Sequence, residues 1–88
     1  MRSRILPQIA MPRKPSATVV DARGLVCPEP VLLLRAALRD AAAGARVLLL
    51  ATDPLAGVDV KAWCARSGNA FVAERSAGDA VEFEVEKR

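Results

Sequence analysis

A cysteine followed by two prolines around a glutamate, Cys27-Pro28-Glu29-Pro30, is the stretch of this 88-residue sequence best equipped for chemistry. Proline suits the first position of a helix, where its missing N–H would have had no partner anyway. Glu29 suits the same end, where the helix dipole is positive. Cys27 is therefore expected at or beside a helix N-cap, with the N–H groups of Glu29 and Val31 left free near its sulfur. A thiolate held there is stabilised, so a lowered pKa and raised reactivity are expected. The Glu29 carboxylate opposes this if it faces the sulfur, and Arg23 would offset it. The contrary reading makes Cys27 an ordinary small apolar residue in the core. These residues alone leave both readings open.

The other candidates are fewer. The second cysteine, Cys64, lies 37 positions further on, so the two form no CxxC redox pair. The chain has no histidine, which excludes a Cys-His catalytic pair and removes the commonest zinc ligand. No metal and no cofactor are expected. Cys64 shares a helix face with Val60 and Trp63 and is expected as a packed core thiol, with a second relay thiol as the alternative. Trp63 is expected as a core anchor. Asp53 with Pro54 either shapes the rim of a site around Cys27 or simply makes a turn.

Elements must hold these residues in place. Residues 17–21 are β-branched and read as a strand, and Arg23-Gly24-Leu25-Val26 as a turn-like link. A helix is expected over about residues 28–43, with Val31, Leu34 and Leu38 on one face, Arg35 and Arg39 on the other, and Gly44 as the stop. Residues 46–52 include Val47-Leu48-Leu49-Leu50, an apolar run suited to a central strand. A second helix is expected over residues 60–67, with Asp59 as N-cap and Gly68 as stop. Residues 70–75 and 81–86 read as a hairpin turning at 76–79. In its second strand Val81, Phe83 and Val85 alternate with Glu82, Glu84 and Glu86, as in a sheet with one solvated face. The expected architecture is an α/β (α+β) two-layer sandwich of order β-α-β-α-β-β. Its mixed four-stranded sheet carries both helices on one face, and the first crossover joins parallel strands.

Composition narrows the function. Arg2, Arg4, Arg13 and Lys14 lie within the first 16 residues, which also hold three of the six prolines. Residues 1–16 are therefore expected as a flexible basic tail, with Met11 as an alternative start, and residues 17–88 as one domain. That domain has nine basic and ten acidic residues, so the positive net charge of the chain belongs to its tail. With only three aromatics in the chain, direct nucleic-acid binding is not expected. No apolar run approaches the roughly 20 residues that span a bilayer, so no membrane association is expected. Free thiols without a secretory signal point to the reducing cytoplasm.

The stretch Asp21-Ala22-Arg23-Gly24-Leu25-Val26-Cys27-Pro28-Glu29-Pro30 closely resembles the signature of the TusA/SirA-like family, also called the YedF or CPxP-motif family. The likeness continues through Asp53-Pro54, Asp59 and Trp63-Cys64 and covers about residues 17–87. It implies the β-α-β-α-β-β sandwich, with Cys27 as the catalytic cysteine and Arg23, Gly24, Pro28, Glu29 and Pro30 as its supporting motif. Asp53, Pro54 and Cys64 are accessory candidates. It further implies a sulfurtransferase that takes sulfane sulfur from a cysteine desulfurase or other persulfide donor. Cys27 would carry it as a persulfide to a downstream acceptor protein. Family pathways include tRNA 2-thiouridine formation, molybdenum cofactor synthesis and other sulfur metabolism. Val26 stands where the tRNA-relay member has a basic residue. The alternative is a non-catalytic interaction or regulatory domain whose CPxP cysteine only caps the helix.

Overall fold

The structure, a computed structural model, describes residues 17–88. The expected basic tail and the alternative start at Met11 lie outside the described residues. The chain runs β1 (Ala17–Ala22), α1 (Glu29–Arg39), β2 (Arg46–Ala51), α2 (Ala56–Ser67), β3 (Ala70–Ala77) and β4 (Ala80–Glu86). The sheet order is β1-β2-β4-β3. β1 and β2 are parallel, and the other two pairings are antiparallel.

One apolar face builds the core. Val47 and Leu49 of β2 pair across the sheet with Val85 and Phe83 of β4, and all four are buried. Leu34 and Leu38 of α1 and Val60 and Cys64 of α2 join them in a single cluster. Both helices therefore cover the same sheet face. Leu34 and Leu38 lie one turn apart on α1, as do Val60 and Cys64 on α2, which is the spacing an amphipathic helix needs to bury one stripe.

The opposite face differs from the acidic surface that the alternation of Glu82, Glu84 and Glu86 implied. Arg46 pairs with Glu84, and with Glu86 at 3.2 Å. Arg75 pairs with Glu82 at 2.9 Å and Glu84 at 2.7 Å. Strand register brings these groups together, since Glu86 stands opposite Arg46 and Glu82 opposite Arg75. The two arginines hold the Glu84 carboxyl below the usual carboxylate range, Arg75 contributing most. The face is a charge-paired ladder, leaving the glutamates engaged within the fold.

Two helix boundaries also differ from expectation. α1 ends at Arg39, four residues early, although Ala41-Ala42-Ala43 are good helix formers. Tertiary contacts override that propensity. The Lys87 ammonium bonds the Leu38 carbonyl at the helix end, and Gly44 N–H donates to the Lys87 carbonyl at 2.8 Å. The chain must leave the helix there to enter β2. α2 begins at Ala56, with Leu55 at the N-cap, so Asp59 lies inside the first turn and does not cap it. Asp53 takes over part of that role from one turn earlier, its Oδ1 accepting from Leu55 N–H at 3.1 Å.

Candidate functional site

The loop after β1 and the start of α1 meet the start of α2 around Cys27. Arg23-Gly24 make the turn that leaves β1. Gly24 adopts φ +81°, a left-handed conformation that glycine enters without strain, and its N–H donates to Thr52 Oγ1 at 2.9 Å. Asp53 follows Thr52 directly, and its Oδ2 accepts from Cys27 N–H at 2.6 Å. Each Asp53 oxygen thus holds one backbone N–H, so this side chain both makes the turn before α2 and ties that turn to Cys27. Pro30 is buried beneath the site, while Cys27, Pro28 and Glu29 are exposed. The Cys27–Pro28 peptide is cis.

The sulfur opens onto a groove of about 170 Å³ lined by Cys27, Pro28, Val31, Asp59, Ala62 and Arg66. A groove of this size falls short of the roughly 300 Å³ or more typical of small-molecule and cofactor pockets, but has room for an added sulfur atom. Asp59, Ala62 and Arg66 recur at helical spacing and present one side of α2 to the start of α1. Among the described residues, no cluster of His, Cys, Asp or Glu is arranged to hold a metal. No helix there is long and apolar enough to cross a membrane.

The electrostatics reverse one expectation. The Cys27 thiol lies above the ordinary cysteine range, not below it. The main cause is the neighbouring Asp59 carboxylate, which favours the protonated thiol, followed by partial desolvation and by the charge of Asp53. Glu29 does not line the groove, and Arg23 is committed to Asp21 at 2.8 Å, so neither plays the part foreseen for it. The helix end is also less open than expected. Glu29 N–H already donates to the Val26 carbonyl at 2.9 Å, and Pro28, not Cys27, occupies the N-cap without any side-chain cap bond. The cysteine therefore does not cap α1, which removes the role assigned to it in the interaction-domain alternative.

Cys64 does not line this groove. It sits 4% exposed in the core cluster, with Trp63 half-buried against that cluster. Burial pushes the Cys64 thiol up, as expected for a packed sulfur. Cys64→Ala should lower stability by about 1 kcal/mol through the small void it leaves, while Cys27 keeps its reactivity. Urea unfolding and thiol alkylation of the variant would read the two effects separately.

Sequence reasoning missed Asp59 and Arg66 as groove residues. It also missed the exposed apolar residues in the two segments that meet there: Val26 beside the cysteine, and Leu55 and Val58 at the start of α2. The available signal was the spacing of Asp59, Ala62 and Arg66, visible once α2 is allowed to begin at residue 56.

The family model described as Sulfurtransferase TusA matches residues 18–87. The chain is similar to a protein named sulfur carrier protein TusA from Pseudomonas savastanoi pv. phaseolicola (strain 1448A / Race 6). The two are 36% identical over 70 residues, covering 80% of this chain and 83% of that protein. A protein of the same name from Pseudomonas aeruginosa (strain LESB58) is 33% identical over 70 residues, covering 80% of this chain and 89% of its own. Among solved structures, a SirA-like protein from Desulfitobacterium hafniense superimposes with a TM-score of 0.69 at 23% identity. It covers 78% of this chain and 95% of its own, a likeness of fold.

Proposed function

Since the chain belongs to the TusA sulfurtransferase family, we propose that it is a sulfur carrier that holds sulfane sulfur as a persulfide on Cys27. The observation that carries this reading is the placement of Cys27. It is an exposed free thiol, anchored through its backbone by Asp53 and opening onto a groove with room for an added sulfur atom. Loading exchanges one S–S bond for another. The Cys27 sulfur attacks the outer sulfur of a donor persulfide, and the donor leaves as a thiol. Unloading repeats the exchange, with an acceptor cysteine attacking the outer sulfur on Cys27. No metal or organic cofactor takes part in either step.

The donor is a cysteine desulfurase or another protein persulfide, and the acceptor is a downstream protein thiol. The exposed Val26, Leu55 and Val58 give such partners an apolar contact beside the sulfur. Pathway choice then rests with the partners, because the chain itself offers one sulfur and a docking surface.

A pulse–chase tests the carrier role. The protein is loaded from a cysteine desulfurase supplied with sulfur-labelled cysteine, purified from the donor, and mixed with a reduced acceptor protein bearing an accessible cysteine. A carrier passes labelled sulfur to the acceptor with matching loss from itself. Label that never enters the chain, or enters and cannot leave to any thiol acceptor, would contradict the reading.

A further inference from the structure

We propose that Asp59 is a catalytic residue of sulfur transfer, the base that takes the Cys27 thiol proton during loading and returns it to the departing donor sulfur. The inference rests on the carrier reading above.

Three observations lead to it. First, a thiol must lose its proton to become a strong nucleophile, yet the surroundings of Cys27 keep the proton on. Unaided loading at neutral pH would draw on a small thiolate fraction. Second, the groups facing Cys27 divide cleanly. Asp59 and Arg66 come from α2, and Asp53 comes from the loop after β2. Pro28 and Val31 of the α1 segment bring no ionisable group to the groove. Arg66 cannot accept a proton, and each Asp53 oxygen already receives a backbone N–H, from Leu55 and from Cys27. Third, Asp59 is uncommitted. It lies within α2 and caps nothing, and no Lys or Arg among the described residues forms an ion pair with it. Its half-buried carboxylate lines the same groove as the thiol, on the side of α2 that faces the start of α1, where a base could meet the thiol proton.

The step balances without an outside oxidant or reductant. The Cys27 Sγ lone pair attacks the outer sulfur of a donor R–S–SH as the thiol proton passes to the Asp59 carboxylate. The new Sγ–S bond forms, and the donor S–S bond breaks with its electron pair on the inner sulfur. Asp59 then protonates that sulfur and is again a carboxylate. The net change is Cys27–SH plus R–S–SH to Cys27–S–SH plus R–SH.

Two reactions of full-length Asp59→Asn separate this role from simpler ones. Alkylation by iodoacetamide needs only thiolate, whereas loading from glutathione persulfide also needs a proton delivered to the leaving sulfur. Removing the carboxylate raises the thiolate fraction, so alkylation at pH 7 should quicken by about threefold or more. Loading should slow by at least about tenfold. The loading deficit should shrink as pH rises through the thiol range, and Asp59→Glu should recover part of the rate. Circular dichroism checks that the fold is kept. Faster alkylation with equally faster loading would overturn the proposal and reduce Asp59 to an electrostatic restraint. Unchanged rates in both reactions would also overturn it. If the parent itself accepts no sulfur, the carrier reading fails and this proposal falls with it. The alkylation rates would still report whether Asp59 governs the thiol.

Discussion

Replacing Cys27 with serine should abolish sulfur loading while leaving the fold and its unfolding midpoint within measurement error of the parent. Cys27 is exposed, and its structural contribution is a backbone N–H donated to Asp53, which serine supplies equally. The side chain is absent from the core cluster, so the substitution opens no cavity. The hydroxyl is close to the thiol in size but cannot form a persulfide. Mass spectrometry after incubation with a persulfide donor should show a loaded parent and an unloaded variant with superimposable circular dichroism. A variant that loads as well as the parent would move the chemistry to another residue, and Cys64 would be the first to examine.

Leu34→Ala should bring the largest loss of stability, about 3 kcal/mol, within the usual range of roughly 2–5 for such a truncation. Leu34 is 0% exposed in the cluster that joins α1 to both central strands. The domain is small, and its total stability is expected to be only about 5–10 kcal/mol. The thermal midpoint should therefore fall by more than about 10 °C. The neighbouring Leu32 is 50% exposed, and its truncation should cost less than about 0.5 kcal/mol. Urea unfolding of both variants checks the pair. Equal effects at the two positions would mean that α1 packs through a different face.

The alternating and periodic stretches were the legible ones. Val81, Phe83 and Val85 alternate with glutamates, and β4 spans them. Val47 to Leu50 form the interior of β2, a central strand of the sheet. Leu34 and Leu38 mark the buried stripe of α1. What stayed hidden depends on contacts between distant segments. Gly57 disguised the first turn of α2, because glycine reads as loop until the Asp53 turn before it is recognised as a helix start. The early end of α1 needs Lys87, nearly fifty residues further along the chain. The charge ladder needs the register that sets Arg46 and Arg75 among the glutamates.

The same limit governs the site. The CPxP stretch marked Cys27 correctly as an exposed thiol beside a helix start, and local reasoning then assigned it the charge of that helix end. The dipole contribution is spent within one turn and here competes with the nearby Asp59 carboxylate. Asp59 comes from the other helix, so no spacing near Cys27 could reveal it. Asp53 was legible as a turn residue, but its bond to Cys27 N–H requires the folded loop.

The central claim is that Cys27 carries sulfur, and the most direct measurement is the intact mass of the reduced protein after exposure to a cysteine desulfurase and cysteine. The account predicts the addition of one sulfur atom, located on the peptide containing Cys27 and removed by a thiol reductant, with Cys64 unmodified. A folded protein that gains no sulfur under these conditions, or gains it on Cys64 instead, would contradict the account.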